Sequence, residues 1–280
     1  MNDRASFVRD RMLKQWSGMV PVYTRLTAGN TERYAAVLLE QVAPRLGERI
    51  LDVATGPGVV AVMAAEAVGP SGRVVATDLA PEWGERVEAR SRAAGVTNVE
   101  FRTMSADALD LPDGSFDVAL CQFGLMFVPE PVQALLEVKR VLRAGGRLGV
   151  NVWSTGDKVK LFTATGSVPQ PYTPQAEPGQ ELPTSLQLGE PGLIERLVEE
   201  AGFRDVQSRR HTLDWLQPEP EEVWRVSVLE GPPGLRDAVQ ALPEAERHGV
   251  HEAFVSALEA YRRDGEIRLP SEAIFVTATK

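Results

Sequence analysis

Cysteine is almost missing from this chain. Cys121 is the only one in 280 residues, so no disulfide can close within it and no Cys-rich metal site can be built. Histidine is nearly as scarce, with His211, His248 and His251 alone. His248 and His251 are three apart and suit one helix face. No H-E-x-x-H or comparable spacing accompanies them, so no metal site is expected. No run approaches the ~20 apolar residues needed to span a bilayer. The opening stretch MNDRASFVRDRMLKQW is charged throughout and has no apolar signal core. A cytoplasmic protein without membrane insertion is the expectation. Basic blocks are absent as well. The formal charge is −9 and only five of the 30 basic residues are Lys. A chain this acidic repels a phosphate backbone, so nucleic acid is not an expected partner. Nothing in the sequence decides the oligomeric state.

What is present is an ordinary globular composition, 43% hydrophobic and 25% charged. Residues 1–46 read as a helical cap, with Leu38, Leu39, Val42 and Leu46 at helical spacing. Strand and helix then alternate. Strands are predicted over 49–54, 73–77 (ending at Asp78), 99–103, 116–121 and 147–153, with helices over 59–68, 81–94 and 131–143. The Gly145-Gly146 pair is expected to stop the last of these helices. Such alternation over 47–153 indicates parallel βαβ units in a doubly wound α/β fold. Residues 154–188 hold Pro169, Pro171, Pro174, Pro178 and Pro183 with little periodicity, and read as a loop or lid. Residues 189–216 contain a helix (190–201) and a sixth strand (203–212). A helical insertion follows over 217–266, and 267–280 carries the last strand, centred on 271–279.

Chemistry concentrates at Asp52-Val53-Ala54-Thr55-Gly56-Pro57-Gly58. Gly56 and Gly58 permit a tight turn and close approach to a ligand, and the next helix points free N–H groups at that spot. Asp52 ends an apolar strand, where an unpaired carboxylate is costly unless a cationic group satisfies it. Asp78 ends the next strand, 20 residues past Gly58, where a carboxylate can accept both hydroxyls of a ribose. Trp83 lies five residues on and suits an adenine face. The run Gly56-Pro-Gly58-Val-Val-Ala61 also satisfies the dinucleotide pattern G-x-G-x-x-A. An NAD(P)-dependent oxidoreductase is therefore an alternative, although Asp52 would face a pyrophosphate dianion and repel it.

Taken in order, IleLeuAspValAlaThrGlyProGly (50–58), ValAlaThrAspLeuAlaProGluTrp (75–83), MetSerAlaAspAlaLeuAspLeuProAspGlySerPheAspVal (104–118) and ValLeuArgAlaGlyGlyArgLeu (141–148) resemble the class I S-adenosylmethionine-dependent methyltransferases. The likeness is greatest to the small-molecule branch that includes the ubiquinone and menaquinone biosynthesis enzymes. It implies a seven-stranded, mostly parallel Rossmann-like sheet with N-terminal helices and a helical insertion before the last strand. It implies S-adenosylmethionine as cofactor and a small-molecule methyl acceptor. By that resemblance Asp52, Ala54 and Gly56 line the methionine end, and Gly58 completes the turn. Asp78 binds the ribose, with Leu79 and Trp83 beside the adenine. Asp107 accepts from the adenine amino group, Ala108 adds a backbone contact and Ala106 forms wall. Cys121, Gln122 and Phe123 pass under the methionine and face the acceptor, and Tyr23 closes over the cofactor.

Four expectations remain. The acceptor pocket is expected from the N-terminal helices, 154–188 and the 217–266 insertion, whose apolar residues (Leu161, Phe162, Tyr172, Leu182, Trp215, Trp224, Val228, Phe254) suggest a lipophilic or aromatic molecule. Trp16, Met19 and Phe127 fit a core role as well as a pocket wall. Cys121 reads as a small buried hydrophobe rather than a nucleophile. His211, the sole histidine near the sheet, is the candidate general base. A non-catalytic module that keeps the fold is the second alternative.

Overall fold

The computed structural model describes residues 3–172, 181–230 and 233–280. In chain order its elements are α1 (Asp3–Val42), β1 (Arg49–Val53), α2 (Val59–Val68), β2 (Arg73–Asp78), α3 (Trp83–Ala94), β3 (Val99–Thr103), β4 (Phe116–Gln122), α4 (Pro131–Val141), β5 (Leu142–Trp153), α5 (Lys160–Gly166), α6 (Leu193–Glu200), β6 (Arg204–Gln217), α7 (Pro220–Trp224), α8 (Pro233–Gln240), α9 (Glu244–Glu259), β7 (Arg262–Arg263) and β8 (Glu266–Thr279). The strand order is β3-β2-β1-β4-β5-β8-β6, with the two-residue β7 paired to β8. Strands β1 to β5 run parallel, and β8 is antiparallel to both β5 and β6. The order reverses between β1 and β4, and ligand sites of such sheets lie at that switch point, outside the carboxyl ends of the strands.

The local reasons are plain in the sequence. Strand β1 carries Ile50, Leu51 and Val53, all essentially buried, as a strand covered on both faces must be. Helix α2 is apolar all round and buries seven of its ten residues against the sheet. The C-terminal part of α1 packs beside α2, on the same side of the sheet, through Tyr34, Ala35, Leu38 and Val42. Its N-terminal half instead joins a small separate cluster, in which Val20, Leu13, Trp16 and Tyr23 pack with Ala80 and Trp83.

The sheet matches the expected seven strands with one short addition. Four details differ from expectation. The N-terminal cap is one 40-residue helix with Pro21 inside it, rather than several helices. Helix α4 ends at Val141, and Gly145-Gly146 lie within β5 instead of terminating the helix. The 154–188 segment contains α5 and two short 3-10 turns; Pro174 and Pro178 lie outside the described residues. Strands β6 and β8 are each 14 residues long because they pair with each other well beyond the point where β5 ends at Trp153↔Ala273. Pro270 is tolerated there, since β8 at that point no longer has β5 as a neighbour and needs fewer ladder donors.

Candidate functional site

A cleft of about 960 Å³, counted to its mouth, opens at the carboxyl ends of β1, β2 and β4. That size lies within the ~300–1,000 Å³ common for small-molecule sites. The turn after β1 forms its floor. Ala54 there has φ 55° and Gly58, which begins α2, has φ 78°. A side chain on Gly58 would also press within 3.0 Å of Val87. Phe123, just past β4, is a second non-glycine residue in the left-handed region, at φ 54°. Strain of this kind, worth of order 1–3 kcal/mol each, gathers where a site must be held in shape.

Two carboxylates line the cleft. Asp52 is 1% exposed and accepts from Thr55 Oγ1 at 2.6 Å. Burial raises its pKa to about 7, with the nearby Asp78 charge adding to the effect. Asp78 accepts from the backbone N–H groups of Gly56 (2.9 Å) and Ala80 (3.0 Å), which tie the turn to β2. Burial raises its pKa to about 6 against the opposing pull of those donors. Two buried carboxylates with raised pKa values in one cleft mark a site that awaits a cationic and hydroxyl-bearing ligand.

Aromatic rings line the cleft as well. Trp16 meets Phe127 edge-on at 4.9 Å and Tyr23 at 5.7 Å, and Tyr23 meets Trp83 at 5.8 Å. Met12, Val128 and Pro129 complete this apolar wall. Burial lifts the Tyr23 hydroxyl to about 12, so it stays protonated.

The cleft therefore brings together Tyr23, Asp52, Ala54, Gly56, Asp78, Leu79, Trp83, Ala106, Gln122 and Phe123. Asp107 stands just behind it. Arg9 Nη2 donates to its Oδ2 at 2.9 Å and Ser105 Oγ to its Oδ1 at 2.5 Å. Ala108 is exposed and its N–H is bonded to the Ser105 carbonyl. Cys121 does not reach the cleft. Strand alternation turns it to the opposite face from Gln122, where it lines a small apolar void with Val53, Leu125 and Val150. Burial raises its thiol to about 12, which leaves it unreactive.

His211 lies elsewhere. It sits on the edge strand β6 opposite Ala273, 3.2 Å from the amide of Gln41 and edge-on to Phe275. Two strands, β5 and β8, separate β6 from β4, so the structure removes His211 as a base for chemistry in the cleft. None of the described residues of the 217–266 insertion lines the cleft either. Its Trp224 packs on Phe254 and His251. Of the residues weighed as core or wall, Trp16 and Phe127 line the cleft and Met19 does not. Arg9, Met12, Thr31, Val128 and Pro129 line it without any signal in the local sequence. Among the described residues no group of His, Cys, Asp or Glu is placed to hold a metal, and no helix is long and apolar enough to cross a membrane.

Residues 50–146 match the family model described as a methyltransferase domain. A demethylmenaquinone methyltransferase of Clavibacter sepedonicus is 42% identical over 135 residues, 47% of this chain and 52% of that protein. An uncharacterised protein of Mycobacterium bovis is 34% identical over 192 residues, 64% of this chain and 66% of that protein. A transposon-borne 37.1 kDa protein of Streptomyces fradiae is 41% identical over 122 residues, 44% of this chain and 35% of its own length. The chain thus spans between about a third and two thirds of the length of these relatives. Among solved structures, a methyltransferase-fold protein from Bacillus halodurans superposes with a TM-score of 0.57 at 23% identity, over 88% of this chain and 98% of that one. The [4+2]-cyclase SpnF superposes with a TM-score of 0.57 at 19% identity, over 97% of this chain and 96% of that one. Likeness at this level is a likeness of fold, and one fold hosts several chemistries.

Proposed function

We propose that this chain, whose residues 50–146 match a methyltransferase domain, is a class I S-adenosylmethionine-dependent methyltransferase, and that it methylates a small, lipophilic or aromatic molecule held in the cleft between α1 and the ends of β1 and β4. The single observation that carries the reading is one cleft lined both by the buried carboxylates Asp52 and Asp78 and by the aromatic rings of Trp16, Tyr23, Trp83 and Phe127. The residues fit the cofactor. Asp52 is buried with only Thr55 as a side-chain donor, and an ammonium group would supply the counter-charge it lacks. Asp78 has lone pairs to spare beyond its bonds to Gly56 and Ala80, and these suit vicinal hydroxyls. Trp83 and Leu79 would wall the adenine. Asp107 can serve the adenine amine while keeping Arg9, since each carboxylate oxygen accepts more than once. A dinucleotide is disfavoured, because its pyrophosphate would face Asp52.

When bound, S-adenosylmethionine supplies a methyl group already activated on a sulfonium. The chain's contribution is then to position the acceptor within about 3–3.5 Å of that carbon and to exclude water. Trp16, Tyr23 and Met12 of α1 cover the cleft from above, and Phe127 to Pro129 close its side. The net charge of −9 weighs against a nucleic-acid acceptor. The demethylmenaquinone methyltransferase among the relatives is named for a quinone-type acceptor, which supports an aromatic one here. Isothermal titration with S-adenosylhomocysteine, NADH and NADPH, followed by radiolabelled methyl transfer to a panel of phenols and hydroquinones, tests the reading. Binding of a nicotinamide cofactor without S-adenosylhomocysteine would overturn it.

A further inference from the structure

Asp107 stands behind the cleft, and the group that balances its charge comes from another element. Its side chain is only 4% exposed and does not line the cleft, although Ser105 and Ala106 beside it do. A carboxylate withdrawn that far from water needs a cation as partner. Arg9, near the start of α1, is that partner. Its Nη2 donates to Asp107 Oδ2 at 2.9 Å, across 98 positions of sequence. Among the described residues that line the cleft, Arg9 is the only Lys or Arg. Ser105 Oγ donates to the other oxygen, Oδ1, at 2.5 Å. Both oxygens are thus held, one from within the turn and one from the helix over the cleft, and each keeps a lone pair. Three further contacts of this half of α1 fall around Trp83, which the cofactor reading sets against the adenine. Ser17 Oγ donates to Glu82 Oε2 at 2.8 Å, Val20 packs with Ala80 and Trp83, and Tyr23 meets Trp83 edge-on.

We propose that Arg9 is a positioning residue for base recognition. By holding Asp107 it gives that carboxylate one direction, toward the amino group of a bound adenine, so that a side chain of the N-terminal helix takes part in choosing the cofactor. The inference rests on the S-adenosylmethionine reading of the same cleft. A carboxylate accepts and does not donate, so a purine without the 6-amino group leaves a buried lone pair unmatched, and discrimination follows. Without Arg9 the carboxylate keeps Ser105 but loses its cation. It is then free to turn about its side-chain bonds, and the preference for the amino group fades. Lysine would restore the charge but not the planar fork of donors, so it would rescue the preference in part.

The test reads a ratio of affinities. S-adenosylhomocysteine and its 6-deamino analogue, with hydrogen in place of the adenine amino group, are titrated calorimetrically into the full chain. Wild type is expected to bind the first at least tenfold more tightly. In Arg9→Met, and separately in Asp107→Leu, the ratio should shrink to about threefold or less, whatever happens to the two affinities. The double variant should lose no more of the ratio than either single one, because the two side chains act as a unit. Arg9→Lys should keep a ratio between those of wild type and Arg9→Met. A side chain that only seated α1 would, when lost, weaken both ligands alike and leave the ratio intact. Ser17→Ala, which cuts a different tether of the same half of α1, is expected to show that pattern. Circular dichroism and a cooperative urea transition certify the fold of each variant. Arg9→Ala replaces Arg9→Met, with the same expectation, if the latter lacks such a transition. A wild-type ratio below threefold, or an undiminished ratio in Arg9→Met or Asp107→Leu, overturns the proposal. Failure of wild type to bind either ligand is a different result, and it strikes the S-adenosylmethionine reading itself.

Discussion

At the scale of single residues, the cleft is built from positions that cost stability. Asp52 is a carboxylate withdrawn from water with one hydroxyl donor, Thr55, and Ala54 beside it occupies a left-handed conformation. Replacing Asp52 by Asn keeps the size and the Thr55 contact but removes the charge. A hydrogen bond to a charged group is worth about 1.5–3 kcal/mol. S-adenosylhomocysteine binding by Asp52→Asn should therefore weaken by roughly 10- to 100-fold in calorimetry. The same variant, unfolded by urea at pH 8 without ligand, should be at least as stable as wild type, because a buried charge is gone. A variant that loses both affinity and stability would make Asp52 a structural residue. Gly124 is constrained by space. A Cβ there would lie 2.4 Å from the Cβ of Ala54 and 3.1 Å from Cys121 Sγ. The turn that Ala54 belongs to is pinned by Asp78 through Gly56, so it must shift if Gly124 is enlarged. Gly124→Ala is expected to lower S-adenosylhomocysteine affinity at least tenfold, a loss that a thermal-shift titration of the variant against wild type would register.

At the scale of elements, α1 does two jobs along one length. Its C-terminal part is bolted to the sheet. Gly149 of β5 is the contact point, where a Cβ would come within 2.3 Å of Val42 and 3.2 Å of Leu38 and Leu120. Overpacking of this kind typically costs about 1–3 kcal/mol. Gly149→Ala should lose stability in that range in urea unfolding, with the midpoint shifted and the slope unchanged. Its N-terminal half roofs the cleft, held by Arg9 on Asp107 and by Ser17 on Glu82. The difference between these halves explains what the sequence shows and hides. Asp52, Gly56, Asp78 and Trp83 are legible because a strand end, a glycine turn and the next strand end lie within about 30 residues and carry their chemistry in fixed spacing. Arg9 is 98 positions from Asp107, and a basic residue on an amphipathic helix carries no local mark of such a partner. Trp16 and Phe127 are equally ambiguous, since an aromatic that lines a cleft and one that fills a core have the same neighbours in sequence. The glycine pair 145–146 misleads for a related reason. It looks like a helix stop, but the helix already ends at Val141 and the pair falls at an irregularity of β5 between Leu142 and Arg147, with Gly145 at φ 72°. The insertion over 217–266 is recognisable as helical, but its apolar residues face one another rather than the cleft.

At the scale of the whole molecule, folding, ligand binding and protons are coupled through Asp52 and Asp78. In the folded, ligand-free protein burial raises their pKa values to about 7 and about 6, against about 3.9 for an unfolded Asp. The folded state therefore holds more protons than the unfolded state between roughly pH 4 and pH 7. The slope of unfolding free energy with pH follows the protons bound by the unfolded state minus those bound by the folded state. Here that difference is negative, so the pair's contribution to stability falls as pH rises through this window. A bound ammonium reverses the preference, because it favours ionised Asp52. S-adenosylhomocysteine affinity should thus rise with pH up to about 7 and level off above it. Below pH 7 binding should release protons, and the apparent calorimetric enthalpy should change with the ionisation heat of the buffer. Urea unfolding at pH 5.5, 7 and 8, with and without S-adenosylhomocysteine, gives the companion measurement. Ligand-induced stabilisation should grow across that series, and the ligand-free protein should lose stability along it. The acidic surface, with a net charge of −9, adds self-repulsion in the same direction, so the comparison that isolates the cleft is with Asp52→Asn. That variant should show a shallower fall in ligand-free stability, and the pH dependence of the affinity it keeps should shrink to what Asp78 contributes, with its upper end near pH 6 instead of pH 7. Parallel pH profiles for the variant and wild type would show that Asp52 is not the titrating group.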